Sequence, residues 1–134
     1  MSKMTKAELR DMLETFLAIR RDDDGDYVTV LDADQDFGHD VGVFFVLNEN
    51  GDKLQMMSMT NLTVRDDVKA LAFCNRWNTE KSFGQAYFHD GTFRMTFSLN
   101  NPADVSREYL KDSFVRLNLA IIWQFYKEVG KEFD

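Results

Sequence analysis

Two histidines and one cysteine are the residues of this chain best suited to catalysis or transition-metal binding. His39 precedes Asp40 and His89 precedes Asp90, so each imidazole has a neighbouring carboxylate, as a general base or a metal ligand often does. Neither histidine belongs to an H-x-x-x-H or H-E-x-x-H motif, and Cys74 has no C-x-x-C partner. We therefore predict that both histidines lie at the surface and that Cys74 is a small buried side chain. No catalytic residue, no metal site and no cofactor are expected.

Residues 32–36 read D-A-D-Q-D, and alternating carboxylates of this kind can converge on a calcium ion. The sixth position of such a loop needs glycine for its sharp turn, but here it is Phe37. The twelfth position should supply a bidentate glutamate, but here it is Val43. We therefore interpret residues 32–36 as an acidic, solvated loop, and we interpret the acidic run at 22–26 in the same way.

Composition limits the partners that the chain can have. The 134 residues are 44% hydrophobic, enough for one domain over residues 1–134. Lys and Arg number 16 against 23 Asp and Glu, a net charge of −7, so nucleic acids and anionic membranes should be repelled. One cysteine cannot form an internal disulfide, and no basic segment leads into a long apolar run. We expect a soluble, cytoplasmic protein.

Hydrophobic periodicity predicts the element order helix, three strands, helix, two strands, helix. A capping box of Thr5 and Glu8 starts the first helix, and strand five alternates apolar and polar residues after a turn at Asp90 and Gly91. The predicted helices cover 5–20, 63–78 (with Thr63 as the cap) and 106–133, and the first three strands cover 27–31, 41–47 and 54–60. The pattern indicates an α+β fold, an antiparallel five-stranded sheet with helices on one face.

Three phrases in the second half of the chain resemble the YbjN family of small bacterial proteins. They are N-R-W-N at 75–78, the D-G turn at 90–91 and V-S-x-E-x-L at 105–110. The resemblance implies a sensory-transduction regulator with a fold similar to type III secretion chaperones, which bind a non-globular segment of a partner protein, typically as dimers. It also implies that Asn75 and Asn78 brace the second helix before the fourth strand.

The second predicted helix carries apolar residues on two sides. Val64, Val68 and Leu71 lie on one side while Phe73 and Trp77 lie nearly opposite, so both sides need to be covered. Either the aromatic pair closes over the end of the sheet or caps the neighbouring helix, or it is a surface that binds a partner.

The last helix is even more apolar, with an apolar arc of roughly 200° and Trp123 beyond it. Either it is sandwiched between the sheet and another helix of the same chain, or it pairs with its copy in a homodimer. We favour the homodimer, with Ile122, Trp123 and Tyr126 at the interface.

Methionines on the third predicted strand either fill gaps in the core or suit a surface that accepts several sequences. Strand alternation sends Met57 and Met59 to the face opposite Met56. With Phe73 and Trp77 they form our candidate partner-binding set. We predict a non-enzymatic module, a chaperone-like or regulatory adaptor that binds an extended segment of a partner protein, in stress or signalling regulation as the resemblance implies. The alternative is a small-molecule sensor with an aromatic-lined pocket.

Overall fold

A computed structural model describes residues 3–81 and 84–134 and has an α+β architecture. Its elements in chain order are α1 (Lys6–Glu14), β1 (Arg20–Arg21), β2 (Tyr27–Leu31), β3 (Val41–Leu47), β4 (Lys53–Thr60), α2 (Asp67–Lys81), β5 (Gln85–His89), β6 (Thr92–Asn100), a 3-10 turn (Pro102–Asp104), a π-helical stretch (Tyr109–Arg116) and α3 (Leu117–Phe133). The sheet is antiparallel, with strand order β1-β2-β3-β4-β6-β5.

The sheet has six strands where the sequence predicted five. The extra strand is β1, in which Arg20 pairs with Val28 and Arg21 with Tyr27. The first helix, predicted to reach residue 20, ends at Glu14, and Thr15 Oγ1 donates to the carbonyl of Met12 at 2.7 Å. Two arginines in an edge strand show no alternation of polarity, so the pattern could not reveal them as a strand.

Two local predictions are confirmed by hydrogen bonds and backbone angles. The capping box of Thr5 and Glu8 begins α1, with both reciprocal hydrogen bonds present. Asp90 and Gly91 have φ of 51° and 77°, the pair of positive angles that a tight two-residue hairpin requires, and they join β5 to β6. Short-range signals of this kind need no tertiary contact to be read correctly.

Helix α2 faces the core with its aromatic side, one of the two alternatives that the sequence left open. Its buried residues are Ala70, Phe73, Cys74 and Trp77, whereas Val68 is 81% exposed and Leu71 is 51% exposed. The predicted cap Thr63 precedes an extended segment, and the side chain of Asp66 instead accepts from the backbone N–H of Lys69. Both sides of the helix are apolar, so periodicity alone could not choose which side faces the core.

The core forms on one face of the sheet. On β6 the predicted alternation is confirmed for Phe93, Met95 and Phe97, which are buried, with polar residues between them facing away. The strand side chains of this inner face belong to one cluster with those of all three helices; the largest fully buried members are Tyr126, Phe37, Phe45, Phe93, Phe125, Leu9, Leu13, Leu54, Met56, Met95, Leu110 and Ile122.

A buried polar network joins α3 to the sheet where β4 and β6 separate. The ladder between these strands ends at Met57 and Thr96. One residue further on, Ser58 Oγ accepts from the backbone N–H of Met95 at 2.9 Å and lies 2.9 Å from the Tyr126 hydroxyl. Tyr126 in turn donates to the carbonyl of Phe93 at 2.8 Å. Two side chains thus replace the missing backbone pairs.

We predict that Tyr126→Phe lowers the free energy of unfolding by about 1 to 3 kcal/mol, because it leaves the buried carbonyl of Phe93 without its donor. Tyr109→Phe is the control, since Tyr109 is exposed on the π-helical stretch and should change stability by less than about 0.5 kcal/mol. Urea unfolding of both variants measures the difference. Equal effects would contradict a structural role for the network.

The observed orientation of α2 predicts a large difference between two substitutions on the same helix. Phe73→Ala should destabilise by about 3 to 5 kcal/mol because it opens a cavity, whereas Leu71→Ala should cost less than about 1 kcal/mol. Thermal and urea unfolding measure both. If Leu71→Ala were the more damaging change, the opposite side of the helix would face the core.

Candidate functional site

The face of the sheet away from the helices carries a group of apolar side chains, most of them partly exposed. We call it the open face; its apolar members are Val28, Val30, Phe44, Val46, Met57 and Met59. Val28, Phe44 and Met57 lie side by side across three strands. Only Val28 of the six is buried, while Val30 is 45% and Met59 is 40% exposed. Grouped apolar side chains in this position are typical of a binding surface.

Strand β3 is apolar on both of its faces, and one of these apolar faces forms the centre of the open face. Val41, Val43 and Phe45 point into the core, and Phe44 and Val46 alternate with them on the open face. A central strand buried on both sides would have this composition, but here a helix layer covers one side alone. The sequence contained this signal as an uninterrupted apolar run, and sequence reasoning did not use it.

An acidic loop lies beside the open face. We call residues 22–26 the aspartate loop. Its Asp22, Asp24 and Asp26 line a hollow of about 190 Å³ together with Phe44, Met57 and Arg94. The loop is held by Asp22, whose carboxylate accepts from the backbone N–H groups of Asp24 and Asp26 at 3.0 and 2.8 Å. Asx turns of this kind bring the three carboxylates within 4.8 Å of one another. The sequence predicts a solvated, acidic loop, and only the fold brings it beside an apolar surface.

The pKa of one carboxyl group in the aspartate loop, that of Asp26, departs from its ordinary value. Burial raises the pKa of Asp26, the charge of Asp22 raises it further, and the ammonium group of Lys6 opposes both. Lys6 Nζ also donates to the carbonyl of Gly25 at 3.3 Å, which ties the loop to α1. The loop therefore holds negative charges close together, with the ammonium group of Lys6 and the guanidinium of Arg21 near Gly25.

Phe73 and Trp77, two of the predicted partner-binding residues, belong to the core. They are 3% and 4% exposed, and Trp77 packs edge to face on Phe125 of α3 at 5.1 Å between centroids. Both line a cleft of about 220 Å³ between α2 and α3. In this cleft the guanidinium of Arg76 lies over the ring of Phe73 and forms a salt bridge of 2.6 Å with the carboxylate of Glu132. The pair packs against α3, and Phe73 also packs on Phe93 of the sheet, so the aromatic pair is covered within the chain and we correct its predicted binding role.

The predicted dimer residues are also mostly internal. Ile122 and Tyr126 have no exposed surface, and Trp123 is half-buried with its ring edge against Phe37 at 6.3 Å. Helix α3 is covered within the chain by the sheet and by aromatic side chains of α2, as the sandwiched alternative required. Ile122 and Tyr126 cannot supply an interface in this packing. The homodimer stays a prediction without those two contacts.

In the part of the chain that the structure describes, neither histidine belongs to a group of three potential metal-ligating side chains. His39 Nδ1 lies 2.9 Å from Asn61 Oδ1 and its Nε2 lies 3.3 Å from Asp134, while His89 contacts Asp90 at 3.2 Å. Among the described residues, the aspartate loop alone brings three potential metal-ligating side chains together. Cys74 is buried as predicted, and burial raises its pKa to about 11, which disfavours the nucleophilic thiolate.

Comparison with known proteins agrees with the fold. The sequence model of YbjN, "Putative bacterial sensory transduction regulator", matches residues 9–131, so the chain belongs to the YbjN family. A crystal structure of YbjN from E. coli, described as a putative transcription regulator, superposes with a TM-score of 0.73 at 16% identity, covering 96% of this chain and 93% of that one. No curated protein matches the sequence significantly.

The type III secretion chaperone fold stays a resemblance, since the structural match is to YbjN itself. Of the helices in residues 3–81 and 84–134, none combines the length and the hydropathy needed to cross a membrane.

The raised pKa of Asp26 predicts that Asp26→Asn increases the free energy of unfolding, and that this increase depends on pH. The folded state holds this proton more tightly than the unfolded state, so wild type loses stability as pH rises from about 3.8 through the raised pKa. The variant escapes this loss and should be more stable at pH 7 by about a few tenths of a kcal/mol, because the carboxyl is partly exposed. The gain should vanish in acid.

Urea unfolding at several pH values measures this gain. Asp23→Asn, which removes an exposed carboxylate from the same loop, is the control. Identical pH profiles for the two variants would contradict the explanation by burial and by Asp22.

Proposed function

We propose that the chain is a non-enzymatic regulatory adaptor that binds an extended segment of a partner protein on the open face of its sheet. The observation that carries this proposal is the group of uncovered apolar side chains, of which Val30 and Met59 are the most exposed. Each leaves apolar area in water, and a partner that covers it gains hydrophobic free energy of about 25 cal/mol per Å². Met57 and Met59 keep the binding role that the sequence predicted.

The edges of the sheet are less suitable than its face for adding a partner strand. At one edge, the Asn78 side chain donates to the carbonyl of Ala86 at 2.9 Å and accepts from its N–H at 2.8 Å. These two bonds occupy outward-facing backbone groups of β5 that an added strand would need. The other edge is β1, two residues long. Occupied or short edges favour binding across the open face.

The family supports a regulatory role in general terms, because its description and that of E. coli YbjN both name regulation. Neither description names a partner or a reaction. A part in stress or signalling regulation, a chaperone-like activity and a homodimeric state are proposals that follow the resemblance.

A second candidate is a small-molecule sensor, favoured by the cleft of about 220 Å³ between α2 and α3. Its floor is aromatic, as such a pocket requires, but Arg76 and Lys81 already lie over the rings of Phe73 and Trp77 at 5.3 and 5.6 Å. A ligand would have to displace these cations. A rise in melting temperature with a metabolite, lost on Arg76→Ala, would favour this function.

The experiment that tests the adaptor function compares two substitutions of exposed apolar surface. The Met57→Lys and Met59→Lys double variant places charges on the open face, whereas Val68→Lys places one on the exposed side of α2. A partner is first purified with the tagged chain from native cells, and its affinity for each purified variant is then measured. We expect the double variant to weaken binding at least about tenfold, the scale of a central contact, and Val68→Lys to leave it unchanged.

Retention of the partner by the double variant would overturn the assignment of the open face. Loss of the partner on Val68→Lys alone would move the binding surface to α2. Circular dichroism and urea unfolding confirm that each variant is folded before its affinity is interpreted.

A further inference from the structure

We propose that the segment bound on the open face is basic as well as apolar, with a lysine or arginine side chain seated against the carboxylates of Asp22, Asp24 and Asp26. This inference rests on the proposed function and specifies its partner. The apolar side chains of the segment would cover Phe44, Met57 and their neighbours, and its cation would lie at the aspartate loop.

The geometry brings charge and apolar surface to the same place. The hollow of about 190 Å³ is lined by Phe44, Val46 and Met57 of the sheet and also by the three aspartates. Since the long stems of lysine and arginine are apolar and their ends are charged, one such side chain can contact both surfaces at once.

The aspartate loop has no ion pair of its own within the described residues. Other acidic side chains of the chain do have partners: Asp112 pairs with Arg116 at 3.0 Å and Asp36 with Lys127 at 3.5 Å. No lysine, arginine or histidine nitrogen in residues 3–81 and 84–134 comes within 4.0 Å of the carboxylate oxygens of residues 22–26. Three carboxylates held within 4.8 Å repel one another, and a cation from a partner would relieve that repulsion.

Arg94 places a positive charge in the same hollow as the aspartates. Among the described residues, its guanidinium makes one contact with a polar side chain: Arg94 Nε donates a hydrogen bond to Thr92 Oγ1 at 3.4 Å. A guanidinium repels a second cation and binds carbonyl or carboxylate oxygens. The cation of the segment should therefore lie at the aspartate loop, and a hydrogen-bond acceptor of the segment should lie at Arg94.

The whole chain favours the same kind of partner. Its net charge of −7 attracts a basic segment over long range and raises the rate of encounter at low salt. Pairing two copies through their open faces would instead bring two such negative charges together. Charge therefore selects a basic segment over a second copy of this chain.

The experiment selects 12-residue peptides from a random phage-displayed library on the full chain. We expect the selected peptides to combine apolar residues with more lysine and arginine than the starting library. One selected peptide is then synthesised, and its dissociation constant is measured for wild type and variants at low and high salt.

The variants separate the two parts of the surface. Asp24→Asn combined with Asp26→Asn should weaken the peptide about threefold to tenfold at low salt, and high salt should reduce the effect. Asp23→Asn is the matched control, since it removes an exposed carboxylate of the same loop that lies outside the cluster, and it should change little. Asp22 is left intact because its side chain holds the loop.

Each other outcome overturns a definite statement. Selected peptides that lack basic residues, and that lose affinity with the Met57→Lys and Met59→Lys variant but not with the aspartate variant, would overturn the basic partner and leave the proposed function standing. Peptides insensitive to both variants, or no binding peptides, would overturn the binding role of the open face itself. Dimers in light scattering that dissociate with the methionine variant would identify a second copy as the occupant.

Discussion

The hydrogen bonds of Tyr126 connect the last helix of the chain to the centre of the sheet. Burial raises the pKa of its hydroxyl, which therefore stays protonated and donates to the carbonyl of Phe93. Ser58 completes the network at the point where β4 and β6 part. Because polar groups inside a core must be paired, this network permits one register of α3 on the sheet and excludes shifted ones.

The register of α3 determines what the other helices can cover. With Tyr126 beneath β6, Phe125 meets Phe73 and Trp77 of α2, and Phe73 also packs on Phe93 of the sheet. The apolar side of α3 is thereby covered by other residues of the same chain. The helix layer covers one face of the sheet, and the other face keeps Val30 and Met59 in contact with water and Phe44, Val46 and Met57 partly so.

That one-sided layering connects the fold to the proposed function. A sheet with a solvated face ordinarily places polar residues there, as β6 does with Thr92, Thr96 and Ser98. Strands β3 and β4 depart from the rule with Phe44, Val46, Met57 and Met59. Exposed apolar surface favours association over solubility, so a chain that retains it beside charged groups is suited to binding another molecule.

Local signals in the sequence were sufficient for much of the architecture. The capping box at Thr5, the D-G turn at Asp90 and the alternation along β6 depend on neighbouring residues alone, and each was predicted correctly. The bracing role implied for Asn78 was also found, in its two bonds to Ala86. The placement of Met57 and Met59 opposite Met56 followed from the strand period of two.

The sequence by itself determined the class of fold, the element order apart from β1, and the absence of a motif with catalytic spacing. Tertiary structure decided which side of α2 faces the core, because Phe73 and Trp77 gain more from the aromatic cluster than Val68 and Leu71 could. It also decided that Ile122 and Tyr126 are internal and that the aspartate loop lies beside the open face. Periodicity reports how apolar each side of an element is, whereas contacts between elements distant in sequence decide which apolar side is covered.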